Sequence, residues 1–201
     1  MNTRITAALL STLATFVYLT AHAQTAEPEK VTLLPTDDGT VVDEFPFDGI
    51  ANDLESDFVV IELDDFEPVA ETIGDRRGVV DFDLSSLGGR SIRRAILKLT
   101  PSFIPVPDGT FVIPIEVRRY QGNGVLGLAD FYRGTFVTTF DMRSLRLGQP
   151  TALNVTQSVR HALSRQWAYL GFVLRTNISP TGVSFGSLEH GPSPTLVITL
   201  D

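Results

Sequence analysis

Hydrophobic and polar residues alternate along most of the chain after residue 30. The clearest rows place one apolar residue at every second position: Val80, Phe82 and Leu84; Ala95, Leu97 and Leu99; Phe111, Ile113, Ile115 and Val117. In the first row the intervening residues, Val79, Asp81 and Asp83, are expected to face the other way. Shorter rows recur at residues 171–175, 183–185 and 196–200. A period of two predicts antiparallel strands that each bury one face.

Turn-forming residues separate these rows. Glycine, proline, asparagine and aspartate cluster at residues 74–75, 88–89, 107–109, 122–124 and 191–194. Each of these residue types favours a tight change of chain direction. Many short strands punctuated in this way predict an all-β fold, an antiparallel β-sandwich.

Two segments depart from the period of two. Residues 156–166 predict a short α-helix, with Thr156 as its N-cap and Val159, Ala162 and Leu163 on its buried side. Residues 126–132 predict a single helical turn. The sandwich is therefore expected to carry one short α-helix.

The N-terminus has the features of a signal peptide. Arg4 precedes an uncharged, largely apolar stretch at residues 5–20, and Ala21-His22-Ala23 supplies a small-x-small cleavage pattern. We therefore expect residues 1–23 to be removed before Gln24, with an uncleaved anchor as the alternative. Residues 24–29 are expected to form a flexible lead-in and residues 30–201 a single β-sandwich domain, secreted to the periplasm or the extracellular medium.

Charge and cysteine content narrow the function classes. The chain carries 24 acidic and 16 basic residues, a net charge of −8, and no cysteine. An acidic surface repels phosphate backbones, so we expect no nucleic-acid partner. Without cysteine there are no disulfides, and core packing must stabilise an exported domain. Since no second long apolar stretch follows, we expect no membrane span in the mature chain.

Nucleophilic and zinc-dependent catalysis lack their residues. After the signal peptide only His161 and His190 offer imidazole, with no cysteine and no G-x-S-x-G sequence. Two histidines far apart in sequence do not match the usual zinc-ligand spacings. The sequence therefore predicts that the protein is not an enzyme of either class.

Paired carboxylates are the remaining catalytic alternative. Asp81, Asp83 and Glu116 could face one cleft, as the two acids of a glycosidase do. The favoured interpretation is a solvated strand face, with Arg118 or Lys98 as cross-strand partners. We therefore expect no catalytic residues.

An acidic segment at residues 37–57 suggests a calcium site. Carboxylate, amide and carbonyl oxygens are the ligands that calcium prefers, and exported proteins encounter calcium. The candidate metal ligands are Asp43, Asp48, Asn52, Asp53 and Asp57. Their spacing does not match an EF-hand, and a solvated acidic loop is the alternative.

Three aromatic residues are candidates for ligand binding. Sugars stack their apolar faces on exposed rings while polar groups at the rim fix their orientation. Tyr120, Tyr132 and Trp167 lie near strand or helix ends where a ring can be exposed. For Trp167, core packing is an equally good interpretation.

Six motifs, in order, resemble the secreted jelly-roll domains called DNRLRE domains and the related polysaccharide-binding modules. They cover about two-thirds of the chain after the signal peptide: RGVVDFDLSSL at 77–87, IRRAILKL at 92–99, LNVT with Val159 at 153–159, GFVLR at 171–175, FGSLE at 185–189 and PTLVI at 194–198. The resemblance implies a jelly-roll sandwich and raises the expectation of a structural calcium ion.

The resemblance, the export signal and the lack of catalytic sets together predict a function. We expect a secreted, non-catalytic module that binds polysaccharide or cell-surface glycan. The alternative is a structural or adhesive component of the cell envelope or extracellular matrix, which would self-associate or bind a partner protein.

Overall fold

Strands dominate the computed structural model, which describes residues 27–44, 49–64, 74–104, 112–178 and 181–201. The predicted signal peptide and the candidate ligand Asp48 lie outside these residues. The described elements, in chain order, are β1 (Lys30–Leu33), β2 (Asp37–Asp43), β3 (Asp53–Glu55), β4 (Val59–Asp64), β5 (Gly74–Asp83), β6 (Ile92–Leu99), β7 (Pro101–Phe103), β8 (Pro114–Gln121), β9 (Thr135–Asp141), β10 (Thr151–Asn154), α1 (Thr156–Ser164), β11 (Tyr169–Thr176), β12 (Thr181–Phe185) and β13 (Thr195–Leu200).

The strands form a four-stranded and a nine-stranded sheet. The small sheet has the order β1-β13-β6-β10, and the main path of the large sheet is β7-β12-β4-β5-β11-β8-β9. β2 pairs with β5, and β3 pairs with β2. All of these pairings are antiparallel. The prediction of an all-β antiparallel sandwich with one α-helix is confirmed.

The two sheets enclose an apolar layer that we call the inter-sheet core. Phe82, Phe172 and Leu97 are among its fully buried members, and the strands of both sheets contribute to it. These residues belong to the rows that alternate with period two, because successive side chains of a strand point to opposite faces. The sequence predicted that each strand would bury one face, and the burial of these rows confirms it.

A second buried group lies on the opposite face of β5, β11 and β8, and we call it the outer cluster. It consists of Val41, Ala51, Val79, Tyr120, Phe131 and Val173, with Leu126 packed against it. A 3-10 helix at Leu128–Tyr132 contributes Phe131, and it corresponds to the helical turn predicted at residues 126–132. Because this layer covers the sheet, Val79 and Asp81 are buried, at 1% and 2% exposure. The prediction that Asp81 lies on a solvated strand face is wrong.

The α-helix is confirmed with a different N-terminus from the predicted one. α1 begins at Thr156, and Val155 occupies the N-cap position. The Thr156 hydroxyl does not cap the helix, since it accepts a hydrogen bond from the Ala95 amide of β6 at 2.9 Å. The hydroxyl therefore ties the start of the helix to the small sheet, and Val159 and Ala162 are buried as expected.

Among the described residues before β1, Glu29 contacts the fold through both its backbone and its side chain. The Leu200 amide donates to the Glu29 carbonyl at 2.9 Å, and the Glu29 carboxylate pairs with Arg90. Within the part of the chain that the structure describes, no helix has the length and apolar character needed to cross a membrane.

Candidate functional site: a cleft at the end of β8

A solvent-open cleft of about 650 Å³ lies where β8 ends. Residues 133–135, which lead into β9, form a second wall. Trp167, which follows α1, forms a third. This volume is within the range of clefts that bind small ligands, roughly 300–1,000 Å³. The lining residues are Arg119, Tyr120, Gln121, Gly122, Arg133, Gly134, Thr135 and Trp167.

The end of α1 holds Trp167 in place. The Trp167 amide donates to the Ala162 carbonyl and the Gln166 amide donates to the Leu163 carbonyl, both at 3.0 Å. Gln166 has a φ of 57°, the left-handed conformation that this helix ending requires. The indole also packs edge-on against His161, with 5.4 Å between ring centroids. Trp167 is half-buried, with one part against the inter-sheet core and another lining the cleft.

Gly134 allows the second wall to approach β8 closely. Its φ is +112°, and a Cβ at this position would lie 2.7 Å from the Arg118 Cβ. The Arg118 Nε donates to the Gly134 carbonyl at 3.0 Å, which fixes the approach. The chain then enters β9 at Thr135, whose register partner on β8 is Arg119.

Tyr120 borders the cleft, but its ring is 5% exposed and belongs to the outer cluster. Its hydroxyl donates to Asp81 Oδ1 at 2.6 Å. Burial and the negative charge of Asp81 raise the pKa of this phenol. The guanidinium of Arg133 lies 5.7 Å from the ring centroid, within the range of a cation–π contact. Tyr120 therefore positions Arg133. The Tyr120 ring is too buried to serve as an open stacking surface.

The carboxylate of Asp81 accepts hydrogen bonds from three donors. Besides Tyr120, the amides of Asn123 and Gly124 donate to its Oδ2, at 3.2 and 3.0 Å. Burial raises its pKa, and these hydrogen bonds oppose that shift. Both carboxylate oxygens are bonded, so the arrangement anchors the turn after β8 to β5.

Other acids near Asp81 are bonded in the same manner. The amide of Leu126 donates to Asp37 Oδ2 at 2.7 Å, and the amide of Gly127 donates to Asp130 Oδ2 at 2.9 Å. Burial raises the pKa of Asp130, and the negative charge of Asp81 raises it further. These backbone donors assign a structural role to the acids beneath the cleft.

Arg119 differs from the other arginines near the cleft. Arg133 lies 3.4 Å from Asp130 Oδ1, and Arg118 lies 3.2 Å from Glu116 Oε2. Within the described residues Arg119 has no ion pair. Burial lowers the pKa of His161, and the positive charges of Arg119 and Arg165 lower it further. The side of the cleft near α1 is thus positively charged.

Tyr132 is exposed but does not line the cleft. Its side chain is 57% exposed, and its hydroxyl accepts a hydrogen bond from the Ala51 amide at 2.6 Å. It lies next to Arg133 in the chain and on the side of the loop at residues 49–52. Of the three aromatic candidates, the structure brings Tyr120 and Trp167 to one cleft and leaves Tyr132 outside its lining.

Within the described residues, the acidic calcium candidates Asp43, Asp53 and Asp57 do not form one group with metal-like spacing. Asp43 is buried and its Oδ2 accepts from the Gly49 amide at 2.8 Å, while Asn52 Oδ1 accepts from the Glu44 amide at 3.1 Å. Asp57 lies at the other end of this segment, 4.0 Å from His190 Nδ1. Only Asp53 of the described candidates belongs to a group of carboxylates with metal-like spacing, together with Glu44 and Glu55.

The group formed by Glu44, Asp53 and Glu55 already has a cationic neighbour. Arg76 Nη2 lies 3.5 Å from Glu44 Oε1 and 3.5 Å from Glu55 Oε1. The three side chains supply hard oxygen donors, which suit calcium. The guanidinium would compete with an ion for these oxygens, so the group is a poor fit to a dedicated calcium site.

The remaining catalytic candidates are engaged in structural contacts. Glu116 Oε2 lies 2.9 Å from Arg175 Nη2 and also pairs with Arg118, and the two arginines lower its pKa against the effect of burial. Asp83 Oδ1 accepts from the Ser85 amide at 2.7 Å. In the register of β11, the partner of Asp81 is Gly171 and that of Glu116 is Arg175. Asp81 and Glu116 are therefore offset by four residues along β11, a distance of about 13 Å in the strand direction. This is more than the separation of the two carboxyl groups in a glycosidase.

Sequence reasoning missed Arg119, Gln121, Arg133 and Thr135 as cleft residues. Arg119 and Gln121 follow Ile115 and Val117 in the same alternating row, at the point where the row changes from apolar to polar. That change was the available signal. The positions of Arg133 and Thr135 depend on the path of residues 122–134 and had no comparable signal.

No family model matches the chain, and no curated protein matches it. Among solved structures the chain is similar to a mutant of xylanase 10C from Cellvibrio japonicus in complex with xylopentaose, with a TM-score of 0.41 and 7% sequence identity. The similarity covers 84% of this chain and 28% of that chain. At these values it carries no argument about function, which must come from the cleft itself.

Proposed function

We propose that the protein is a secreted, non-catalytic module that binds polysaccharide or cell-surface glycan in the cleft beside Trp167. The observation that carries the proposal is the combination of an indole with Arg119, Gln121, Arg133 and Thr135 around one open cleft. An aromatic surface with polar donors at its rim is the usual arrangement for a sugar ring. The signal peptide predicted at residues 1–23 and the resemblance to DNRLRE domains point in the same direction.

The lining of the cleft also supports a non-catalytic role. None of the described residues that line it carries a carboxylate. Asp81 is buried beneath it and bonded through both carboxylate oxygens. Glycoside hydrolysis by the usual route requires two carboxyl groups that face the scissile bond.

A binding panel tests the proposal. Protein starting at Gln24 would be titrated with neutral, acidic and algal polysaccharides, in calcium and again in chelator. The fluorescence of Trp167, the only tryptophan of the chain, reports occupancy of the cleft directly. We expect at least one polysaccharide to change this fluorescence, and we expect Gln121→Ala to weaken binding because Gln121 is exposed at the rim.

Phe103→Ala is the matched control, because Phe103 is 61% exposed on β7 at the opposite end of the large sheet. It should leave binding unchanged. Failure of every polysaccharide to bind the folded protein would contradict the proposal. Calcium dependence of binding would bear on the group formed by Glu44, Asp53 and Glu55.

A second candidate, a self-associating structural or adhesive protein, is favoured by β9. Among the described strands β9 pairs only with β8, so its other edge is available for pairing. Residues 135–140 carry no charge, and Phe136 is 54% exposed. Long uncharged edge strands promote association between chains.

Sedimentation at increasing protein concentration tests this alternative. If β9 mediates association, Thr139→Lys should shift the protein towards the monomer. Thr32→Lys, on the edge strand β1 of the small sheet, should have no effect. A monomer at all concentrations would remove the candidate.

A further inference from the structure

We propose that the glycan bound in the cleft is anionic, with carboxylate or sulfate groups that are held by Arg119 and Arg133. This inference rests on the proposed function and specifies its ligand class. It starts from the contrast between a chain of net charge −8 and a cleft in which the charged residues of the described lining are both arginines.

The position of Arg119 is the first argument. Ile115 and Val117 of the same strand face the inter-sheet core, and alternation directs Arg119 to that side of the sheet. In the register it lies between Phe172 of β11 and Thr135 of β9. A half-buried guanidinium in a core-facing row loses part of its hydration, which is unfavourable unless an acceptor compensates for it.

The described residues supply no carboxylate to Arg119. Other half-buried arginines of the large sheet have one: Arg77 contacts Asp75, and Arg118 and Arg175 contact Glu116. Arg119 faces the open cleft instead. The compensating acceptor can therefore come from a ligand.

Arg133 is the second anchor. Its position is fixed over the Tyr120 ring and by a hydrogen bond from Nη1 to the Gln121 carbonyl at 3.3 Å. Its side chain is 41% exposed, so the rest of the guanidinium remains accessible. Asp130 neutralises part of its charge, which leaves Arg119 as the principal positive group.

A further positive charge lies at the end of α1. Arg165 is exposed, and its positive charge and that of Arg119 both act on His161, whose ring packs against Trp167. Guanidinium groups bind carboxylate and sulfate oxygens in a planar, bidentate manner, and Trp167 can stack on the sugar that carries them. A neutral sugar would leave Arg119 without a counter-charge.

Two matched pairs of polymers test the inference. Polygalacturonate would be compared with its methyl ester, and dextran sulfate with dextran, by titration of Trp167 fluorescence. The first pair isolates carboxylate and the second isolates sulfate on an unchanged backbone. We expect at least one charged polymer to bind about tenfold or more tightly than its neutral form, and its binding to weaken as salt screens the charges.

Variants locate the effect at the cleft. Arg119→Gln should reduce affinity for the charged polymer about tenfold, towards that of the neutral form, and Arg119→Lys should be intermediate because it keeps the charge but loses the planar donor fork. Arg93→Gln, an exposed arginine of β6 in the small sheet, is the control and should have no effect.

The outcomes separate the two proposals. Equal binding of charged and neutral polymers, with a response from Trp167, would overturn the anionic preference and leave the glycan-binding function standing. Binding of charged polymers that is unchanged by Arg119→Gln would overturn the assignment of Arg119. No binding of any polysaccharide to the folded protein would overturn both.

Discussion

The two faces of β11 are buried by different means. Phe172 points into the inter-sheet core, where the opposing sheet covers it with apolar side chains. Val173, the next residue, belongs to the outer cluster, which is covered by residues from loops and a 3-10 helix. The first layer contains apolar side chains, whereas the second packs Tyr120 against the buried carboxylate of Asp81.

The difference explains where the cleft forms. Two sheets with apolar faces pack without directional bonds, and this arrangement leaves little freedom for a polar site. Around the outer cluster, amides of residues 123–127 donate to buried carboxylates and fix the path that leads to Arg133. The candidate site therefore lies where the two layers meet: Arg119 and Trp167 lie on the side of the inter-sheet core, and Arg133 is held against Tyr120 of the outer cluster.

The largest expected effect is in the inter-sheet core. Phe172→Ala should lower the free energy of unfolding by about 3–5 kcal/mol, because it removes a fully buried ring. Val173→Ala, one residue away, should cost about 2 kcal/mol if the outer cluster is a true core, since about two buried methylene equivalents are lost. Chemical denaturation measures both. A negligible effect of Val173→Ala would mean that the outer face of β11 is solvated.

Gly171→Ala tests how closely Tyr120 and Asp81 pack on the backbone of β11. It should lower the free energy of unfolding by about 3 kcal/mol. A Cβ at Gly171 would clash with the Tyr120 ring and with Asp81 Oδ1. In the double variant with Tyr120→Ala the added methyl group gains room, so the combined cost should be smaller than the sum of the single costs. Simple additivity, measured by the same denaturation experiment, would contradict this contact.

Tyr120→Phe isolates the hydrogen bond of the outer cluster. It should lower the free energy of unfolding by about 2 kcal/mol at neutral pH, because a buried carboxylate loses a hydroxyl donor. Tyr169→Phe is the matched control, since no hydrogen bond of the Tyr169 hydroxyl is found within the described residues. Equal stability of the two variants would show that the Tyr120 hydroxyl contributes nothing specific.

The smallest expected effect is a change in pH dependence. Asp38 is fully buried, and burial raises its pKa from 3.8 to about 6. Its Oδ1 accepts from the Leu188 amide at 3.1 Å, while its Oδ2 finds no hydrogen-bond partner among the described residues. Between about pH 4 and pH 6 the folded protein then binds more protons at Asp38 than the unfolded chain does, so its contribution to stability falls as pH rises.

Asp38→Asn should make the decline in stability across this window shallower. Asp81 and Asp130 act in the same direction, because burial raises their pKa values also. Denaturation at several pH values measures the slope, and Asp57→Asn, at a 74% exposed side chain, is the control. An unchanged slope in Asp38→Asn would show that Asp38 is not the titrating group.

Much of the fold could be predicted from local pattern. The rows through Phe82, Leu97 and Ile115 predicted the strands that enclose the inter-sheet core, and the helix at residues 156–166 was placed within two residues of its true end. The N-cap was misassigned because Thr156 bonds to a strand that is distant in sequence. The predicted role of Asp81 failed for a related reason, since alternation cannot show that loops cover the second face of a sheet.

The candidate site depended more heavily on tertiary contacts. Trp167 and Tyr120 were proposed from residue type, but their meeting at one cleft depends on the pairing of β8 with β11 and on the end of α1. The calcium prediction for Asp43, Asp48, Asn52, Asp53 and Asp57 treated the acidic segment as one loop. In the structure, Asp43 and Asp53 lie on the paired strands β2 and β3, where the register partner of Asp53 is Val42, while Asp57 lies beyond β3 near His190.

The sequence by itself determined the all-β class, the position of the helix and the shortage of residues for nucleophilic catalysis. These follow from periodicity and composition, which are local properties of the chain. Tertiary structure decided that Asp81 is buried, that Arg119 has no ion pair within the described residues, and that Trp167 lines the cleft with Arg119 and Arg133. Those properties depend on contacts between segments that are distant in sequence and exclude water from one another. A local pattern of residues does not reveal which distant segments will meet.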